Sequence, residues 1–150
     1  MPKRHFEDFT VGDVLPLPER PVGRAEIIAF AAEFDPQPFH LDERTAATDL
    51  AGGMFASGWH VCALLMRMLC DAYLVESSCL GSPGIDTLKW RKPVRPGDRI
   101  SGASTVIDIR GSATRPELGI VRFRHEVRNQ SGETVLVMEN PIFFRRGAAA

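Results

Sequence analysis

An aspartate and a histidine, Asp35 and His40, are separated by four residues in the sequence Phe-Asp-Pro-Gln-Pro-Phe-His. A carboxylate and an imidazole held at a set separation can act together in general acid–base chemistry. Pro36 and Pro38 restrict the backbone, because each fixes its own φ and disfavours the helical region for the residue before it. We therefore predict a stiff, extended loop that holds the two side chains. A solvated turn is the alternative, since Asp-Pro often begins a turn.

Helices are predicted on both sides of this loop. The segment from Arg24 to Phe34 has four apolar residues on one face at helical spacing, and Gly23 before it is an acceptable N-cap. The segment from Leu41 to Asp49 is predicted to form a second, shorter helix. The two glycines at 52 and 53 end it.

The segment from Ser57 to about Glu76 is predicted to be the longest helix, with Ser57 as its N-cap. Apolar residues surround its axis on nearly every side, which is typical of a helix buried inside a protein. Its length also suits a membrane span. Because His60, Arg67 and Asp71 lie within the run, a buried helix of a water-soluble protein is the favoured interpretation. Arg67 and Asp71 are expected to form a partly buried ion pair.

The apolar period changes from helical to alternating after the long helix. Alternation predicts four strands, which run from Ile85 to Trp90, Arg99 to Ile109, Ile120 to Arg128 and Glu133 to Arg145. A hairpin turn is predicted at residues 129–132, and the segment before Pro21 is expected to be mostly loop with a short strand at most. Long antiparallel strands after one buried helix predict an α+β fold, in which an antiparallel sheet wraps around a central helix.

Composition restricts the class of protein. A length of 150 residues suits a single domain spanning residues 1–150, and a net charge of −1 gives no general reason to expect nucleic acid or an anionic membrane as a partner. The cysteines Cys62, Cys70 and Cys79 lack metal-type spacing, so reduced thiols and no metal are expected. No apolar run follows the basic N-terminal residues, so no signal peptide is predicted. We expect a cytoplasmic protein.

Several motifs occur together in an order typical of one family. Asp35, Pro38 and His40 fit its signature, with Ala46 or Ala47 as the small residue that follows. Three further segments also look familial, namely Phe6 to Asp13, Ala56 to His60 and Trp90 to Asp98. The combination covers nearly the whole chain and resembles the MaoC-like dehydratase family, the hot-dog-fold (R)-specific enoyl-CoA hydratases. The resemblance implies a hot-dog fold.

The resemblance also implies an activity, the reversible hydration of trans-2-enoyl thioesters to (R)-3-hydroxyacyl thioesters. Asp35 and His40 would both contact the catalytic water. The backbone N–H of Gly58, at the start of the long helix, would hold the enolate oxygen. The substrate would be an acyl-CoA or acyl-carrier-protein thioester, with coenzyme A as part of the substrate and no separate cofactor. A homodimer, or an assembly of dimers, is implied, with the acyl pocket at the subunit interface.

The chain departs from the better-known hydratases at the start of the long helix. Ser57, Gly58 and Trp59 stand where those enzymes have His-Gly-Met, and Ala63 stands where some members place a serine near the reacting centre. We include all four positions among the oxyanion and substrate-binding candidates. The bulky Trp59 and the missing hydroxyl are expected to change the acyl-chain preference rather than the reaction type.

Other polar residues have two interpretations each. A cluster of cations before and within a turn could hold the phosphates of coenzyme A or could simply be solvated: Lys89, Arg91, Lys92 and Arg95. His60 could line the pocket or be a core histidine, and the core is the more common place. His125 lies on the apolar stripe of a strand, so we predict that it belongs to the core or to an interface.

Two alternative functions share the predicted fold. A hot-dog thioesterase would place a catalytic carboxylate on or next to the long helix, but the only carboxylate well inside that helix is Asp71, which is expected to pair with Arg67. The second alternative is a subunit that binds acyl-CoA without turnover. The presence of both Asp35 and His40 argues against it.

Overall fold

The computed structural model describes residues 3–46 and 50–147. Its helical elements are a 3-10 turn (Phe6–Asp8), α1 (Arg24–Phe34), α2 (Pro38–Leu41), α3 (Glu43–Ala46), α4 (Gly58–Leu69) and a π-helical turn (Cys70–Leu74). Its strands are β1 (Val14–Pro21), β2 (Cys79–Gly81), β3 (Thr87–Trp90), β4 (Arg99–Gly111), β5 (Leu118–Arg128) and β6 (Thr134–Arg145).

Within these residues, the strands form one antiparallel sheet. The order is β1-β4-β5-β6-β2, and β3 also pairs with β6. The buried side chains of α4, among them Val61, Leu65 and Met68, belong to the same core cluster as residues of the sheet. The predicted α+β arrangement of an antiparallel sheet against a central helix is confirmed.

The helix predictions are correct in place but not in every detail. The bounds of α1 and its N-cap Gly23 are confirmed, and α4 begins directly after the predicted N-cap Ser57. α4 contributes Val61, Leu65 and Met68 to the core as predicted for a buried helix, but its burial is incomplete, because the side chains of Trp59 and Met66 are exposed. A continuous apolar pattern does not reveal which side of a helix the rest of the chain covers.

Two further predictions about helices need correction. The ion pair between Arg67 and Asp71 forms, but both side chains are largely exposed, since they project from the uncovered side of α4. The predicted helix from Leu41 to Asp49 begins earlier, as the turn α2, and continues as α3. Residues 47–49, including the candidate small residue Ala47, lie outside the described part of the chain.

The strand nearest the N-terminus is longer than predicted, and one short strand was not predicted. β1 is an eight-residue strand rather than mostly loop, although it contains Pro16, Pro18 and Pro21. These prolines are tolerated because β1 is at the edge of the sheet and pairs only with β4. β2 was not predicted, since three residues give too short an alternation to recognise. The hairpin turn at 129–132 is confirmed, with Gly132 at φ +76°.

A buried chain of polar groups connects the π-helical turn to the sheet. The Tyr73 hydroxyl donates to Ser104 Oγ at 3.0 Å, and Ser104 Oγ lies 2.8 Å from His125 Nδ1. His125 Nε2 lies 2.8 Å from Asn140 Oδ1. His125 is fully buried, so its prediction as a core residue is confirmed.

Candidate active site

Asp35 and His40 are brought together by a short change of backbone direction. Asp35 ends α1, Gln37 is extended as expected before a proline, and Pro38 begins the helical turn α2. The predicted extended loop therefore stops at Gln37, and His40 lies in a helical turn. This geometry places His40 Nε2 3.2 Å from Asp35 Oδ2, with 4% and 16% of the respective side chains exposed.

The hydrogen bonds of His40 define its tautomer. His40 Nδ1 lies 2.7 Å from the carbonyl oxygen of Phe55. A carbonyl oxygen only accepts, so Nδ1 carries the hydrogen and donates it. In the neutral imidazole, Nε2 then has a free lone pair on the side of Asp35. His40 is thus oriented to accept a proton at Nε2.

Asp35 is held in its ionised form by two neighbouring donors. The Ser57 hydroxyl donates to Oδ2 at 2.7 Å, and the Gln37 amide donates to Oδ1 at 2.6 Å. These bonds, the one from Ser57 first, hold the pKa of Asp35 below its ordinary value, while partial burial opposes them. Ser57 was predicted as an N-cap and substrate-binding residue. It occupies the N-cap position, but its hydroxyl does not bond to the helix.

A cavity of about 420 Å³ opens beside the Asp35–His40 pair. Gly58 and Trp59, from the first turn of α4, line it. Its other walls are mainly apolar and include Phe55, Ala56, Val61, Trp90, Pro93 and Val94. The first N–H groups of a helix have no partner within the helix, and the positive end of the helix dipole lies there. The cavity therefore combines the Asp35–His40 pair, the N-terminal end of a helix and apolar surface.

Trp90 makes a contact that sequence reasoning did not predict. Its indole N–H donates to the carbonyl oxygen of Gly58 at 2.9 Å. A Cβ on Gly58 would lie only 2.5 Å from Trp90 Cε2, so a glycine is required here by the packing of the indole. Gly58 was predicted as a site residue for its backbone N–H, and the packing of the indole is a separate reason for a glycine at this position.

The structure separates the four candidate cations into two groups. Arg91 and Lys92 line the cavity, and Lys92 also pairs with Glu133. The other two do not line it. Lys89 alternates with Trp90 on β3, and Arg95 donates to the carbonyl of Gly53 at 2.7 Å and to that of Ala51. Arg95 therefore anchors the loop before α4.

The remaining candidates differ in their positions. Trp59 lines the cavity and is 61% exposed, while Ala63 is exposed on α4 and does not line the cavity. His60 is buried, stacked on Phe30 at 4.7 Å, and does not line the cavity either. Its Nε2 lies 3.8 Å from a Glu26 oxygen, and its Nδ1 has no hydrogen-bond partner among the described residues. Burial lowers the pKa of His60.

A comparison with known families identifies the group to which the chain belongs. The family model described as a MaoC like domain matches residues 8–128. The chain belongs to the MaoC-like family. The membership supports an enzyme of the hydratase or dehydratase kind.

Similar proteins of known structure support the MaoC-like assignment. A MaoC-like dehydratase from Rhodospirillum rubrum is 40% identical, with a TM-score of 0.89 over 97% of this chain and 99% of that chain. The unliganded R-hydratase PhaJ1 from Pseudomonas aeruginosa is 23% identical, with a TM-score of 0.76 over 97% of this chain and 88% of that chain, a likeness that concerns the fold. The hot-dog fold is thereby confirmed.

A further similar protein matches most of this MaoC-like chain. The uncharacterized protein YdeM from Bacillus subtilis is 28% identical over 141 residues, which cover 94% of this chain and 99% of YdeM. Across residues 3–46 and 50–147, no helix is long and apolar enough to cross a membrane. In the same residues, no group of three His, Cys, Asp or Glu side chains could hold a metal ion.

Proposed function

We propose that this protein adds water reversibly to trans-2-enoyl thioesters and forms (R)-3-hydroxyacyl thioesters. The observation that carries the proposal is the 3.2 Å approach of Asp35 Oδ2 and His40 Nε2 beside a largely apolar cavity. Two acceptors at this separation can bind the two hydrogens of one water molecule. The water oxygen would then be directed at the β-carbon of an acyl chain in the cavity.

The hydrogen bonds around the pair support different roles for its two members. Asp35 is a weak base, because Ser57 and Gln37 donate to it and lower its pKa. His40 Nε2 therefore accepts the proton of the water as its oxygen bonds to Cβ. Asp35 orients the water and stabilises the imidazolium that forms. The imidazolium then returns the proton to Cα, so that water has been added across the double bond.

As the water oxygen bonds to Cβ, the electrons of the double bond move toward the thioester carbonyl. The intermediate is an enolate with negative charge on its oxygen. The unpaired N–H groups of the first turn of α4, those of Gly58 and Trp59, are the proposed donors to the enolate oxygen. A Cβ at position 58 would collide with the Trp90 indole, so a glycine lets the first turn of α4 pack against this wall of the cavity. Because these donors belong to a rigid helix, little reorganisation is needed as the charge develops.

The proposed substrate is an acyl thioester of coenzyme A or of acyl-carrier protein. Apolar walls suit an acyl chain, and Arg91 and Lys92 at the cavity could contact phosphate groups of either carrier. Lys89 and Arg95 are left out of this part of the proposal because they do not line the cavity. No separate cofactor is needed for the addition of water.

The thioesterase alternative has weaker support. Asp71 pairs with Arg67 on the exposed side of α4 and does not line the cavity. Among the described lining residues, Asp35 supplies the only carboxylate. A non-catalytic acyl-CoA-binding role would not require a base with a free lone pair beside an ionised carboxylate.

The experiment follows the absorbance of the conjugated enoyl group of crotonyl-CoA, with free thiol measured in parallel. We expect loss of the enoyl signal without thiol release. Asp35→Asn and His40→Gln should each lower kcat by about 10² to 10⁴, and the glutamine retains much of the volume of the buried imidazole. Asp42→Asn, which changes an aspartate outside the cavity, is the matched control and should retain activity. Thiol release, or normal turnover by both site variants, would refute the proposal.

A further inference from the structure

Trp90 joins the edge of the sheet to the first turn of the central helix. It is the last residue of β3, where its backbone is paired in register with Leu136 of β6. From this position its indole N–H donates to the Gly58 carbonyl at 2.9 Å. The sheet thus holds the beginning of α4 through one side chain.

This hydrogen bond acts on the peptide group between two residues that line the cavity. The carbonyl of Gly58 and the N–H of Trp59 belong to one planar trans peptide, in which they point in opposite directions. A donor that fixes the carbonyl therefore also fixes the direction of the N–H. The Trp59 N–H is one of the helix N–H groups without an intrahelical acceptor, and both residues line the cavity.

Packing around the indole limits the movement of the same peptide group. A Cβ on Gly58 would meet three indole atoms of Trp90, at 2.5, 2.8 and 2.9 Å, so the ring fills the space beside the glycine. The Trp90 ring also contacts the ring of Trp59. Their centroids are 5.3 Å apart and their planes meet at 83°, an edge-to-face arrangement. Glycine is the residue with the greatest backbone freedom, and here that freedom is restricted by the indole.

We propose that Trp90 is a positioning residue, which orients the Gly58–Trp59 peptide so that the Trp59 N–H points at the enolate oxygen. This inference rests on the hydration proposed above. Trp90 also lines the cavity, but its proposed effect on the reaction is made through the peptide group. Its contribution is made in the transition state, where the oxygen becomes charged, so it should affect kcat more than KM.

The test replaces Trp90 with benzothienylalanine, which has the shape of tryptophan but a sulfur in place of the N–H. Steady-state hydration of crotonyl-CoA is measured together with the affinity for butyryl-CoA, a saturated thioester that forms no enolate. We expect kcat to fall on the order of tenfold, less than the loss of a whole oxyanion donor. KM and the butyryl-CoA affinity should change by less than about threefold.

Thr87→Val is the control, since it alters an exposed residue of the same strand away from the cavity and should leave kcat unchanged. An active wild type with an unchanged kcat in the benzothienylalanine variant would overturn the role of Trp90 and leave the proposed function intact. Equal losses in kcat and in butyryl-CoA affinity would also overturn it, because they indicate a general loss of structure. A wild type inactive on every enoyl thioester would overturn the proposed function and this inference together.

Discussion

The Ser57 hydroxyl donates its hydrogen bond to Asp35 rather than to the backbone of the helix that it begins. We predict that Ser57→Ala raises the pKa of Asp35, because the carboxylate loses the donor that lowers that pKa most. The hydroxyl also helps to orient Asp35, so kcat for hydration should fall by about tenfold. A ¹³C titration of the Asp35 carboxyl measures the first effect, and an unchanged pKa would contradict it.

The same substitution has a predicted effect on stability that depends on pH. Since the folded-state pKa of Asp35 lies below the unfolded value, ionised Asp35 stabilises the fold above the unfolded pKa, and this is lost as the pH falls through the folded pKa. Ser57→Ala should therefore reduce the free energy of unfolding more at neutral pH than in acid. Ser131→Ala, in the exposed hairpin turn, is the control and should show no such difference.

Trp59 is predicted to limit the length of the acyl chain. It lines the cavity and is 61% exposed, so it is not a core residue whose loss would unfold the protein. Trp59→Ala should shift the ratio of kcat/KM values toward longer or bulkier enoyl-CoA substrates, because each methylene accommodated in an apolar pocket is worth roughly 1 to 3 kcal/mol. A series of enoyl-CoA chain lengths gives the measurement. A profile lowered evenly, without a change of shape, would count against this role.

A series of buried hydrogen bonds connects the strands β4, β5 and β6. The donor and the acceptor of each bond follow from the groups at its two ends. Asn140 Oδ1 only accepts, so His125 carries its hydrogen at Nε2, and Nδ1 accepts from Ser104, which in turn accepts from Tyr73. A second proton on His125 would meet the Ser104 hydroxyl in the wrong orientation. Burial lowers the pKa of His125 to about 4 and raises that of Tyr73.

From the burial of His125 we predict that the protein loses stability in mild acid. Between about pH 6.5 and 4 the unfolded state binds a proton at His125 that the folded state does not, so the free energy of unfolding should fall by about 3 kcal/mol as the pH decreases through that range. Urea unfolding at several pH values tests this. In the variant His125→Met this part of the pH dependence should disappear, and its persistence would show that other groups cause it.

The two edges of the sheet differ in how they are protected. β1 carries three prolines, which cannot donate to an added strand. At the opposite edge, β2 and β3 are short, and the apolar side chains of Leu80 in β2 and of Ile85 before β3 are exposed. The ring contact of Trp90 with Trp59 makes this edge continuous with the exposed face of α4. An apolar surface at an open sheet edge is typical of a site of association.

We predict that the protein forms a homodimer, or an assembly of dimers. Two copies of the chain would associate through the β2–β3 edge and the exposed face of α4. Sedimentation at micromolar concentration should therefore show no monomer as the main species. Met66→Lys adds a charge to this face and should weaken association, whereas Val14→Lys, at the β1 edge, should not. A clean monomer of the wild type would refute the prediction, and equal effects of the two substitutions would refute the choice of edge.

Local patterns were sufficient for the parts of the protein that depend on neighbours in the sequence. The period of apolar residues located α1, the start of α4 and the three long strands, because burial of one face repeats at a fixed spacing. The spacing of Asp35 and His40 indicated a pair that could work together, since two prolines restrict the chain between them. The motifs that carry the resemblance pointed to the MaoC-like family, and the match over residues 8–128 confirmed it.

Contacts between distant segments could not be obtained in this way. Ser57 reaches Asp35 across 22 residues, which requires that α4 packs beside the end of α1. Trp90 reaches Gly58 across 32 residues, which requires that α4 packs on the sheet. The same packing places Arg91 and Lys92, but not Lys89, at the cavity and leaves one side of α4 exposed. A sequence pattern states which residues are apolar or charged, but the direction of each side chain depends on strand register and helix rotation, which only the packed core determines.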